Sequence, residues 1–170
     1  MNEQQVLLTT KRLAHQILEN HLDLTNTVFI GLQPRGVYLS DKIVEQLKQT
    51  VPSEKVNYGK LDITFYRDDV RRELKVPNKT EINFTIENKK VVLIDDVLFT
   101  GRTIRAALDA LLDFGRPDKV ELCVLIDRRF SRQLPIQPDY TGKVIDDFIT
   151  QKVMVKWKDK DEATEVMITE

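Results

Sequence analysis

Two adjacent carboxylates, Asp95 and Asp96, end the apolar run Val91 to Ile94, and "TGRT", Thr100 to Thr103, follows shortly after. The backbone N–H groups of Thr100, Gly101, Arg102 and Thr103, with the threonine hydroxyls, can surround a phosphate at the positive end of a helix dipole. Glycine at 101 lets the backbone approach. The carboxylates repel such an anion, but they accept hydrogen bonds from vicinal hydroxyls and can partner a sugar-bound divalent cation. A phosphorylated sugar satisfies both needs. Taken alone, an acidic pair at a strand end serves equally as a phosphoacceptor, a metal site or a solvated end. No Ser-His-Asp set accompanies it, and His15 and His21 lie in an N-terminal helical segment, so nucleophilic catalysis is not indicated.

The elements that must hold these residues alternate between strand and helix patterns. "TTKRLAHQILENH" puts Leu13, Ala14, Ile17 and Leu18 on one helical face, with Thr9 or Thr10 as cap. "TVFIGL", Thr27 to Leu32, reads as a buried strand. "GVYLSDKIVEQLKQ" spaces Leu39, Ile43, Val44 and Leu47 at helical intervals, and "KLDITFY", Lys60 to Tyr66, alternates as a strand. A second unit follows: "KVVLID" as strand, "TIRAALDALLDFG" as helix closed by Gly115 and Pro117, and "KVELCVLID" as strand. Apolar strands separated by helices predict a mostly parallel sheet flanked by helices, with ligands at the strands' carboxyl ends. Between them, "YRDDVRRELKVPNKTEINFTIEN", Tyr66 to Asn88, is charged and weakly periodic, which predicts a mobile loop or an excursion of irregular strands. "KVMVKW" and "ATEVMIT" flank the charged turn "KDKDE", which predicts an antiparallel hairpin at a sheet edge.

The chain has 170 residues, enough for one domain with a sizeable core. Lys+Arg number 26 against 27 Asp+Glu, a formal charge of -1, so no global basic field draws the protein to nucleic acid or an anionic membrane. Any such contact needs a local patch. The lone Cys123, inside "ELCVLI", reads as a buried strand residue in a reducing compartment. No apolar run reaches the length of a membrane span and no signal-peptide pattern opens the chain, so a cytoplasmic protein with no membrane partner is expected.

The stretch "VVLIDDVLFTGRT" resembles the phosphoribosyl pyrophosphate (PRPP) motif of the type I phosphoribosyltransferases, and "DDVLFTGRT" resembles its form in the PyrR group, bifunctional pyrimidine-operon attenuators and uracil phosphoribosyltransferases. The resemblance extends along the chain. "GLQPRGVYL" is similar to the family's pyrophosphate loop, "LDITFYRDD" to the start of its flexible loop, "FGRPDKVELCVLIDR" to the strand after the PRPP helix, and "LPIQPDYTGK" to a segment near the base pocket. It implies the type I phosphoribosyltransferase fold with a small C-terminal hood or hairpin. By the same resemblance Asp95 and Asp96 bind the ribose hydroxyls, Val97, Leu98 and Phe99 complete the motif, and Thr100 to Thr103 hold the 5′-phosphate. Pro34, Arg35 and Gly36 would hold the pyrophosphate, and Tyr66, Arg67, Asp68 and Asp69 open the flexible loop. Asp127, Arg128 and Val144 fall in the base-pocket segments.

The implied reaction is transfer of phosphoribose from PRPP to uracil, giving UMP and pyrophosphate, the alternative being transfer to another nucleobase, with Mg²⁺ held mainly through the substrate, no direct protein ligand being required, and Asp95 and Asp96 as the candidates for one. Such a displacement passes through an oxocarbenium-like state in which the leaving group gains charge, which suits Arg35 and, on the mobile loop, Arg67 as the catalytic cations. The implied regulator binds a pyrimidine-operon leader RNA when UMP or UTP fills the pocket, with Arg12, His15 and Arg105 as candidates for a basic face, doubled in a homodimer or higher homo-oligomer. Two segments depart from the PyrR pattern: "RFSRQ" follows "LIDR" where Gly-His is expected, and "VIDDFIT" follows "GK" where Asn-Ile-Pro-Thr is expected. Gln33-Pro34 also replaces a Lys-Thr type of pair, and an X-Pro bond accepts the cis geometry far more cheaply than others.

Overall fold

The structure, a computed structural model, describes residues 1–68, 76–146 and 151–169. Five parallel strands form the central sheet: β1 (Thr27–Leu32), β2 (Asn57–Leu61), β3 (Lys90–Leu98), β4 (Lys119–Arg128) and β5 (Tyr140–Ile145), in the order β2-β1-β3-β4-β5. β1 and most of β3 and β4 are buried on both faces, which is why they read as unbroken apolar runs rather than alternating ones. Successive residues still divide between two cores. Phe29, Val92, Ile94, Cys123 and Leu125 face helices α1 (Glu3–Asn20) and α2 (Gly36–Thr50). Val28, Ile30, Leu93 and Val124 face helix α3 (Arg102–Leu111).

Several elements differ from the sequence expectation. α1 starts at Glu3 rather than near Thr9, because Asn2 and Gln5 form a reciprocal capping box while Thr10 is buried and donates to the Val6 carbonyl. β2 stops at Leu61, where Asp62 takes over: its carboxylate accepts from Thr64 N at 2.8 Å, from Thr64 Oγ1 at 2.6 Å and from Asn78 N. That carboxylate closes the neck of the excursion predicted over 66–88. The returning half is packed, with Ile86 wholly buried and Lys60 bridged to Glu81. Asp69 lies outside the described residues. β5 was not expected, since its exposed Lys143 and Val144 break the apolar pattern.

The C-terminal hairpin, β6 (Lys152–Lys156) and β7 (Glu165–Thr169), forms as expected but makes its own two-stranded sheet instead of extending the central one. Val155, Trp157 and Val166 plant it in the core beside α1 and α2. His21 ends α1 and pairs through Nε2 with Glu121 Oε2 at 2.7 Å, near the amino ends of β1 and β4. Cys123 is fully buried, and burial pushes its thiol pKa up, so it serves packing. No described helix is long and apolar enough to cross a membrane.

Candidate active site

β3 carries the acidic pair further into the protein than its apolar run suggests. The strand continues through the carboxylates to Leu98, with Asp95 in register with Val124 and Val97 with Ile126. Asp95 and Asp96 are therefore only 7% and 8% exposed, a buried shelf rather than a solvated lip. Burial and then the charge of Asp96 raise the Asp95 carboxyl well above its ordinary range. Burial raises Asp96 too, opposed by the Arg35 guanidinium, whose Nε lies 3.7 Å from Asp96 Oδ2. Two buried like charges are costly, and the charges of Arg35 on Asp96 and of Arg67 on Asp95 offset only part of that cost, so hydroxyl donors or a cation bound at the shelf would be favoured.

α2 approaches the same shelf closely. A Cβ on Gly36 would stand 2.7 Å from the Ile94 carbonyl oxygen and 2.9 Å from Asp95 Oδ1, so only glycine fits there. The Gln33–Pro34 peptide bond before it is cis. Gln33 ties this loop to the far side of the excursion, donating from Nε2 to the Lys79 carbonyl at 2.6 Å. Arg35, at the N-cap of α2, sends Nη2 to the Val155 carbonyl and, at 3.1 Å, to Asp161 Oδ2 of the hairpin turn.

On the other side of the shelf, Gly101 stands at the N-cap of α3 with φ +93° and no side-chain cap, so the first-turn N–H groups of this helix lack the capping box that closes α1. The loop is buttressed from behind. Gln133 N and Leu134 N both donate to the Thr100 carbonyl, at 3.0 and 3.2 Å, and Arg132 spans from Asp127 at the end of β4 to the Phe99 carbonyl. Sequence reasoning missed Arg132, because "RFSRQ" stood out only as a departure. Gly101→Ala is expected to cost about 1–2 kcal/mol, since alanine must adopt a left-handed backbone against Leu134 and Ile136. PRPP should also bind more weakly. Thermal melting and PRPP titration read the two effects, and unchanged PRPP affinity would remove Gly101 from the phosphate cradle.

These parts form one cleft. One cavity is lined by Gln33 to Arg35, Asp95, Asp96 and Arg67, and a second by Arg67, Asp68 and the stretch Val97 to Ile104; Arg67, Val97 and Thr103 line both. Asp68 lies across the α3 end of the cleft, 2.6 Å from Arg102 Nη1 and 3.5 Å from Arg105 Nη2. Tyr66 is drawn away from the cleft by a hydrogen bond from its hydroxyl to Asp113.

The base-pocket candidates separate. Asp127 and Val144 line a cavity beside the cleft, joined to it by the pairing of Asp127 with Leu98 and by Arg132, which bonds both Asp127 and the Phe99 carbonyl, whereas Arg128 is buried with its guanidinium 4.1 Å from the Phe99 ring centroid and Nη2 2.8 Å from the Gln151 carbonyl. Another cavity, which shares Arg35, Asp96 and Val97 with the cleft, is walled by β6. The RNA candidates separate as well. Arg12 and His15 are exposed on α1 and Arg105 is on α3, and the two helices cover opposite faces of the sheet. Within one chain no common basic face exists among the three. Arg12 donates to the Thr141 and Gly142 carbonyls, and Arg105 pairs with Asp68 and Asp109.

The phosphoribosyl transferase domain family matches residues 2–160. The bifunctional protein PyrR of Acetivibrio thermocellus is 48% identical over 92% of this chain and 85% of its own length. That of Halalkalibacterium halodurans is 41% identical over 99% and 94%, and that of Bacillus subtilis 38% over 100% and 95%. Among solved structures, a hypoxanthine phosphoribosyltransferase from Trypanosoma cruzi superposes with a TM-score of 0.76 at 18% identity, covering 99% of this chain and 92% of that one. The likeness to the latter is one of fold, and it places the hairpin as well as the sheet within a shared architecture. A domain match over nearly the whole chain, together with relatives this similar end to end, establishes that the chain belongs to the PyrR proteins of the phosphoribosyltransferase family.

Proposed function

We propose that residues 1–170 act as one domain that transfers the phosphoribosyl group of PRPP to uracil, releasing pyrophosphate and UMP, and that also regulates pyrimidine-operon expression as a UMP- and UTP-responsive RNA-binding protein. The observation that carries the catalytic reading is the placement of the buried Asp95–Asp96 shelf between Arg35 on one side and the uncapped first turn of α3 on the other. A ligand with a diol between two phosphoryl ends fits that order. In the reaction the bond from the anomeric carbon to the pyrophosphate oxygen breaks with its electron pair leaving on pyrophosphate, the uracil nitrogen bonds to that carbon, and the proton of that nitrogen ends on the released pyrophosphate or in bulk water. The ribose hydroxyls donate to Asp95 and Asp96, the 5′-phosphate lies against Thr100 to Thr103, and Arg35 meets the charge growing on the leaving group. Arg67, lining both halves of the cleft, closes it against water.

The donor set fits a cation held mainly through the substrate. Asp95 and Asp96 offer two adjacent carboxylates, which is what a hard cation takes when substrate oxygens supply its remaining ligands. When bound, Mg²⁺ would neutralise charge on the pyrophosphate. Uracil is assigned to the side of Asp127 and Val144, whose cavity neighbours the cleft where Asp127 pairs in register with Leu98 and Arg132 bridges Asp127 to the Phe99 carbonyl. A PRPP-dependent assay across uracil, cytosine, guanine and hypoxanthine tests the enzyme reading. UMP should form, and turnover of a purine without UMP formation would overturn the base assignment.

For regulation, the name shared by the relatives, bifunctional protein PyrR, supports a second activity, and exposed His15 is the candidate left open by the pairing of Arg105 and the tethering of Arg12. A homo-oligomer would repeat that face, and a cytoplasmic setting suits the free, buried Cys123. A pyrimidine-operon leader hairpin should bind more tightly with UMP present, with log affinity falling linearly in log salt. His15→Ala should weaken that binding and leave uracil transfer intact. Binding that ignores UMP and treats unrelated RNA alike would leave the enzyme alone.

A further inference from the structure

We propose that Asp161, in the turn of the C-terminal hairpin, is a positioning residue of the pyrophosphate subsite that holds the guanidinium plane of Arg35 toward the leaving group. The inference rests on the reading of Arg35 given above. An arginine side chain has several rotatable bonds, and aiming its planar fork costs conformational entropy unless the protein has already restricted it. Here three oxygens restrict it. Nη2 donates to the Val155 carbonyl and to Asp161 Oδ2 at 3.1 Å, and Nε lies 3.7 Å from Asp96 Oδ2. Nη1 is the nitrogen that none of these three oxygens engages.

Asp161 is itself fixed. Its Oδ2 also accepts from Trp157 N at 2.8 Å, and the turn is closed by Asp161 N and Lys160 N donating to the Trp157 carbonyl at 2.6 and 2.9 Å. The Trp157 N–H, ahead of Arg35, holds the Asp161 carboxyl below the usual range, so it stays ionised as an acceptor. Trp157 is wholly buried and stacks on Tyr38 of α2, with centroids 6.4 Å apart. A closed circuit results: α2 carries Arg35, Arg35 bonds Asp161, Asp161 bonds Trp157, and Trp157 packs back on α2. A half-buried ion pair of this kind contributes only modestly to stability, and the hairpin is already anchored by Val155, Trp157, Val166 and the pairing of Met1 with Val166. What the pair adds is direction.

The test compares Asp161→Ala, Asp161→Asn, Arg35→Ala and the Arg35→Ala/Asp161→Ala double variant in the full chain, measuring kcat, the KM for PRPP, inhibition by pyrophosphate and UMP affinity. Asp161→Ala should lower kcat roughly tenfold or more and weaken pyrophosphate inhibition, with UMP affinity unchanged. Asparagine keeps an acceptor for both Trp157 N and Arg35 and should recover most of the loss. On the Arg35→Ala background Asp161→Ala should cost nothing further, since its partner is gone. The emission of Trp157, the only tryptophan, reports whether the turn has kept its packing. Equal losses of Asp161→Ala on both backgrounds, or equal weakening of UMP and pyrophosphate, would overturn the positioning role. If Arg35→Ala impairs turnover and Asp161→Ala does not, the proposal alone fails. If Arg35→Ala leaves turnover and pyrophosphate inhibition unchanged, the subsite reading fails and takes the proposal with it.

Discussion

Replacing Asp95 and Asp96 together by asparagine is expected to weaken PRPP binding by a hundredfold or more while making the protein more stable at neutral pH. Hydrogen bonds to charged groups contribute about 1.5–3 kcal/mol each, so losing two corresponds to at least roughly a hundredfold in Kd. The stability gain follows from the protons. Both carboxyls are raised by burial, Asp95 the more strongly, so the folded protein holds protons at pH values where the unfolded chain has released them. The native state then binds more protons than the unfolded one, and stability falls as pH rises from the ordinary carboxylate range through the raised values. Asparagine has no proton to lose. The double variant should lack that part of the pH slope and melt a few degrees higher at neutral pH, a gain on the order of 1 kcal/mol for a domain this size. Melting curves at a series of pH values and titration with PRPP check both halves. A variant that binds PRPP normally contradicts the diol assignment, and one that is less stable at neutral pH contradicts the cost of burying the two charges.

Arg35→Ala should lower kcat for uracil transfer by about a hundred- to a thousandfold, the range found when one donor to a developing negative charge is removed. UMP has no pyrophosphate, so its affinity should hardly change and serves as a control for the fold of the cleft. The control matters because Arg35 also bonds the Val155 carbonyl and Asp161, and losing those contacts is expected to cost about 1 kcal/mol of stability. Steady-state kinetics with UMP titration separates the two roles. Parallel losses in turnover and UMP affinity would make Arg35 a structural residue.

Much of this protein is legible in its sequence wherever the signal is local. β1 over Thr27–Leu32 and α2 from Gly36 follow directly from the apolar runs and helical spacing, and "DDVLFTGRT" brings the acidic pair and the α3 turn together because they are contiguous in the chain. Glycine at 101 likewise announces close backbone approach, whereas the tight fit of Gly36 against Ile94 and Asp95 emerges only in the structure. Elements whose partners are distant were not legible. β5 is a strand because β4 offers it a parallel edge, although its own residues are half exposed. The acidic pair is buried because β4 runs alongside β3 past it, which no run of apolar residues in β3 itself indicates. Arg12 and Arg105 look alike as exposed helical cations, and only the alternation of the sheet's two faces sets them on opposite sides. The sequence alone thus determined the parallel α/β framework and singled out the candidate residues for the proposed phosphate, diol and pyrophosphate sites, since each set lies in one short stretch of chain. The tertiary structure decided what those residues are bonded to. Arg35 to Asp161, Arg132 to Phe99 and Asp62 to Asn78 all join segments far apart in the chain, and such pairings arise from packing rather than from local periodicity.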